Sequence, residues 1–105
     1  MITAYIKEFK KCIMYGRFTL IRRKKNIDFI REYGLLENDV IEILLDLSYR
    51  DFVGGPEPDH EEGLEGDVFK FIYPWEGIQI YIKLRYDPPN NMVCISFHKA
   101  EYQKS

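Results

Sequence analysis

Cysteine is scarce in this sequence. Cys12 and Cys94 are the two thiols, far apart, with no CxxC pair and no histidine beside either at zinc spacing. That excludes a disulfide scaffold and gives no signal for a metal site, and two free thiols fit a reducing compartment. Long hydrophobic runs are missing as well. The stretch Met1 to Tyr15 interrupts its apolar residues with Lys7, Glu8, Lys10 and Lys11, so it carries neither a signal-peptide core nor a membrane span. The expectation is a cytoplasmic protein with no membrane partner. An excess of one charge is absent too: 15 Lys and Arg against 17 Asp and Glu leave a net charge of -2. Such a balance argues against nonspecific coating of nucleic acid, but a local basic face remains compatible with it, because binding follows the local field. There is no phosphate-cradling glycine loop, no Gly-x-Ser-x-Gly elbow, no internal repeat and no low-complexity segment. A chain of 105 residues is expected to form one domain, 1–105, with a single core.

What is present centres on Ile78 to Tyr86. Strict alternation places Ile78, Ile80, Ile82, Leu84 and Tyr86 on one face of a strand, and Gln79, Tyr81, Lys83 and Arg85 on the other. This predicts a central strand, buried on one side and wet on the other. Val68 to Tyr73 and Met92 to His98 flank it as further strands. Turns at Pro74-Trp75-Glu76-Gly77 and Asp87-Pro88-Pro89-Asn90-Asn91 connect the three into an antiparallel meander. In the first strand Phe69, Phe71 and Tyr73 are the expected core set, which turns Lys70 outward. In the last, alternation predicts Val93, Ile95 and Phe97 on one face and Cys94, Ser96 and His98 on the other.

Upstream, helical spacing predicts a helix over Ile2 to Tyr15 with Gly16 as its stop, then a short strand within Arg17 to Ile21. Asn26 is the expected N-cap of a helix over Ile27 to Tyr33, closed by Gly34. A third helix starts at Glu37 or Asn38 and presents Val40, Ile41, Leu44, Leu45 and Leu47. Val53 to Asp67 is rich in glycine, proline and acids without periodicity, and is expected to be a long loop. The fold class expected is α+β: an antiparallel meander packed on one face by three helices.

The polar face of the meander gathers Lys70, Gln79, Tyr81, Lys83, Arg85, Ser96 and His98. Cations beside a phenol favour an anion, and a phosphodiester is a common anion that takes several donors at once. His98 is a proton carrier near neutral pH, and Lys83 and Arg85 suit the charge that builds on a phosphate during attack. The same pattern fits a solvated sheet face with long cationic side chains. Elsewhere the bland readings lead: Arg22-Arg23-Lys24-Lys25 as a solvated connection, Trp75 as a turn residue packed on the core, and Glu57, Asp59 and His60 as part of an acidic lid, with no calcium-loop spacing. No metal ligand set and no cofactor are predicted.

Several short motifs in the second half are shared with one family. Leu44-Leu45-Asp46-Leu47-Ser48-Tyr49-Arg50-Asp51-Phe52 ends in an aspartate–aromatic pair, and is followed by Asp67-Val68-Phe69, Ile80-Tyr81-Ile82-Lys83-Leu84 and Ile95-Ser96-Phe97-His98. From about Gly16 to Glu101 the order resembles the MqsR-type toxins (motility quorum-sensing regulators) of bacterial toxin–antitoxin pairs. The resemblance implies a RelE-like fold and a metal-independent endoribonuclease acting on RNA, normally mRNA, held in check by a cognate antitoxin. It places the family's catalytic tyrosine on Tyr81 and its C-terminal catalytic lysine on His98. A family glutamine falls on Gly66, and a further lysine on Gly54. Lys83, Lys70 and His60 are then the candidates to compensate. The expected catalytic set is Tyr81, His98, Lys83 and Lys70, with Arg85, Gln79, Ser96 and His60 contacting RNA. The alternative is a binding module of the same fold that takes RNA or an acidic protein segment without cutting.

Overall fold

Ile6, Phe9 and Ile13 recur at helical spacing, and with Cys12 they are the residues that α1 (Ile2–Met14) buries. The helix closes through paired bonds, from Gly16 N–H to the Ile13 carbonyl and from Arg17 N–H to the Cys12 carbonyl. The computed structural model describes residues 2–58, 67–87 and 91–101. After α1 come β1 (Phe18–Leu20), α2 (Lys24–Glu32), α3 (Glu37–Leu45) and a single 3-10 turn, Tyr49–Asp51. Four further strands follow among the described residues: β2 (Phe52–Pro58), β3 (Asp67–Trp75), β4 (Ile78–Asp87) and β5 (Asn91–Lys99).

The strands form one mixed sheet in the order β1-β5-β4-β3-β2. The last four pair antiparallel, while β1 runs parallel to β5, with Phe18 opposite Met92. The architecture is therefore α+β, but the three-stranded meander is too small a description: a strand is added at each edge and one pairing is parallel. The added strand β2 lies in the stretch expected to be loop. Its glycines and prolines disguise it, yet Pro56 and Pro58 are acceptable on a sheet edge, where a missing N–H breaks no interior ladder. Residues 59–66, which include Asp59, His60 and Gly66, lie outside the described residues, as do Pro88, Pro89 and Asn90.

All three helices lie against the same side of the sheet. Their buried residues, among them Phe9, Phe29, Val40 and Leu44, form one cluster with Phe69, Phe71, Ile80, Ile82, Leu84 and Phe97. Aromatic rings dominate the contact, with Phe9 edge-on to Phe69 at 5.4 Å and Phe29 edge-on to Phe97 at 6.0 Å. Trp75 packs edge-on to Tyr33 at 5.7 Å at the margin of this core. Between Trp75 and Ile78 the hairpin is a two-residue turn with Glu76 and Gly77 both at positive φ, a geometry that suits strand twist.

Two local expectations are overturned by one buried amide. Asn26 does not cap α2; it sits inside the helix, fully buried, with Arg23 at the N-cap position. Its Nδ2 donates to the carbonyls of Ile21 (2.9 Å) and Ile95 (3.0 Å), and its Oδ1 accepts from Phe97 N–H at 2.9 Å. This grips β5 at an irregularity. Lys83 pairs with Ser96 but Leu84 pairs with Cys94, so Ile95 is an extra residue in the ladder, a β-bulge. The bulge reverses the alternation upstream of it. Met92 and Cys94 join Phe97 in the core, while Val93, paired with Arg85, turns to the opposite face. The expected grouping of Val93 with Phe97, and of Cys94 with Ser96 and His98, is corrected accordingly.

Candidate functional site

The side of the sheet away from the helices carries the candidate residues in register. Lys70, Lys83 and Ser96 make one row across β3, β4 and β5. Ile72, Tyr81 and His98 make the next, and Val68, Arg85 and Val93 the one on the other side of the lysines. Six of the predicted residues, Lys70, Tyr81, Lys83, Arg85, Ser96 and His98, thus meet on one face. Gln79, opposite Pro74, extends it toward the turn, and its backbone carbonyl accepts from Ala100 N–H at 2.8 Å. His60 lies outside the described residues.

Tyr81 and His98 face each other across β4 and β5. Their ring centroids are 5.5 Å apart and the rings are tilted by 49°. Both side chains are half-buried, so each keeps an approach from solvent. The His98 Nδ1 lies 3.1 Å from the Lys99 carbonyl, which orients the ring and directs Nε2 away from that contact.

The cations behave differently from the expectation of a wet face. Lys83 is only 5% exposed and Arg85 only 7%. The reason lies on β3, whose Val68 and Ile72 share this face and are themselves buried. The long cationic stems lie against these apolar neighbours, and both cations are largely withdrawn from water, the Arg85 Nη1 included. Arg85 is also committed to a partner on its own strand: Nε and Nη2 reach the two oxygens of Asp87 at 2.9 and 3.2 Å. A bidentate fork of this kind fixes the guanidinium and neutralises it, which argues against Arg85 as a primary RNA contact. Ser96, at the β5 end of the row, is buried at 3% and so is withdrawn from solvent.

Lys70 is the most accessible cation of the row and is ion-paired with Glu57 of β2. Strand pairing puts Glu57, expected in an acidic lid, opposite Val68 and within reach of Lys70. Gly54 is the register partner of Lys70, and a Cβ built there would lie 3.9 Å from the lysine Cδ. The lysine stem therefore crosses the space a side chain at position 54 would share.

Outside this face, the basic run resolves into surface contacts. Lys24 pairs with Asp28 at 2.6 Å, and Lys25 with Glu101, whose carboxyl is held below its ordinary pKa by the Lys25 ammonium. Both cysteines are buried, and burial raises both thiol pKa values, which keeps them protonated and unreactive. Among the described residues no group of three or more His, Cys, Asp or Glu side chains gathers to hold a metal. No described helix is long and apolar enough to cross a membrane.

Neither known protein families nor curated proteins provide a match to this chain.

Proposed function

We propose that this chain is a metal-independent endoribonuclease of the MqsR-type toxin class, with a RelE-like fold, working in the cytoplasm on mRNA. The observation that supports this best is the Tyr81–His98 pair beside the Lys70–Lys83 row on the face opposite the three helices. A neutral His98 imidazole takes the proton from a ribose 2′-hydroxyl, whose oxygen attacks the adjacent phosphorus. The P–O5′ bond breaks, the departing oxygen takes a proton from the Tyr81 phenol, and a 2′,3′-cyclic phosphate remains. The lysine ammoniums stabilise the charge that gathers on the non-bridging oxygens. Both proton carriers are side chains, so the reaction needs no metal-bound water. Lys70 also stands opposite Gly54, where the resemblance would put a lysine, and so supplies a cation near that position.

An RNA toxin implies an antitoxin, and an acidic segment of such a partner is the natural ligand for the same face. The direct test is incubation of the purified protein with long unstructured RNA in EDTA. Cleavage that yields cyclic phosphate ends is expected; intact RNA in the presence of folded protein sinks the enzyme reading.

A second reading, a binding module that does not cut, is favoured by one specific feature. Two of the cations are already engaged, Arg85 by Asp87 and Lys70 by Glu57. Retention of labelled RNA without new ends, unchanged by Tyr81→Phe, selects it.

A further inference from the structure

An acid from the edge strand reaches into the cationic row. Glu57 of β2 lies opposite Val68, which occupies the same face as Lys70 two residues on, and its carboxylate pairs with the Lys70 ammonium. Lys70 in turn stands directly opposite Lys83. Like charges facing each other across strands repel, and a carboxylate at one of them relieves that repulsion. The Glu57–Lys70 pair retains solvent, with side chains 42% and 33% exposed, whereas Lys83 behind it is nearly covered. An exposed carboxylate–ammonium pair is weak and screened, while a phosphate brings more acceptor oxygens to the same ammonium.

We propose that Glu57 is the internal counter-anion of the Lys70–Lys83 row, and that an RNA phosphate binds by displacing its carboxylate from Lys70. This rests on the reading that the face takes RNA, and it assigns Glu57 the setting of affinity and salt dependence there. A small anion that meets a single ammonium gains little over the carboxylate it displaces. A polymer that presents several phosphates at once brings more acceptor oxygens to the face and feels the summed field of both lysines. Glu57 thus biases the face toward polyanions and against free phosphate.

The test uses the whole chain and a short single-stranded 2′-O-methyl RNA, which lacks the attacking hydroxyl and so reports binding alone. Affinity is measured by fluorescence anisotropy over a salt series. Glu57→Gln and Glu57→Ala should each bind about two- to fivefold tighter than wild type at low salt, the factor matching loss of one exposed ion pair. Their affinity should also fall more steeply with salt, by up to ~0.7 in the log–log slope, as one more unopposed phosphate contact requires. In a Lys70→Met background the Glu57 gain should vanish. Asp28→Asn removes the same charge beside Lys24, away from the face, and should give no gain. If wild type binds and the Glu57 variants match it, or gain no more than Asp28→Asn, the counter-anion assignment is overturned and the RNA reading stands. If no variant binds RNA at any salt concentration, both are overturned.

Discussion

Tyr81 of β4 and His98 of β5 are direct cross-strand partners, their rings 5.5 Å apart on the side of the sheet that no described helix covers. Their backbones are held by adjacent strands, so substitution of either side chain should leave the fold intact. Tyr81→Phe and His98→Ala are each expected to lower RNA cleavage in EDTA by about 10²–10⁴-fold, the usual worth of a positioned acid or base. Melting temperatures within a few degrees of wild type would tie the loss to chemistry; unchanged cleavage rates would remove both residues from the mechanism.

Asn26 should be among the most sensitive positions of the fold. Asn26→Ala strands the Phe97 N–H and withdraws donors from the Ile21 and Ile95 carbonyls, all in a fully buried setting. The expected cost is about 3 kcal/mol, seen in thermal denaturation as a fall of roughly 12–24 °C. Asn26→Asp keeps an acceptor for Phe97 but sets a carboxylate against two carbonyls, and should be worse than alanine.

Adjacent glycines in β2 should respond in opposite ways. At Gly55, φ is +113° and a Cβ would come within 2.4 Å of the Val68 carbonyl oxygen, so Gly55→Ala must push β2 off β3. A loss of roughly 2–4 kcal/mol is expected from the clash and the backbone strain together. At Gly54 a Cβ meets only the Lys70 side chain at ordinary contact distance, and Gly54→Ala should lie within about 0.5 kcal/mol of wild type. Urea denaturation of the two variants side by side measures the difference.

Alkaline stability should report on Tyr73. Its hydroxyl donates to the Asp46 carboxylate at 2.6 Å, and burial together with that neighbouring charge pushes the phenol up to about 12. In the unfolded chain the phenol ionises near ~10, so between those values the unfolded state holds fewer protons than the folded state. The stabilisation is complete below the unfolded value and is lost as pH rises from about 10 through about 12. Denaturant titrations across that range should show wild type losing stability faster than Tyr73→Phe. Parallel curves would remove Tyr73 as the cause.

Which parts of this molecule were legible in its sequence follows from how local their causes are. The faces of β4 and the outward turn of Lys70 were readable, because alternation is a property of the strand itself. Face assignment failed on β5, since a bulge adds one residue and leaves no mark on composition. Asn26 was misread for a related reason: asparagine favours N-caps locally, and its actual partners lie on distant strands. The glycines and prolines of β2 imitate a loop, and with the strand went the pairing that brings Glu57 to Lys70. Burial of Lys83 and Arg85 was hidden because it depends on Val68 and Ile72 of a neighbouring strand. Alternation was enough to put Tyr81, Lys83 and Arg85 on one face, whereas the Glu57–Lys70 and Arg85–Asp87 pairs depend on the folded geometry.

The amide of Asn26 binds backbone groups 69 and 71 positions further along the chain, and β1 rests on β5 alone within the sheet. Loops of that length must close before either contact returns any energy, which slows the search for the native topology. The early helices therefore have no finished scaffold to settle on until the last strand is in place. Assembly should be all-or-none, with one kinetic barrier that substitutions at both ends of the chain affect together.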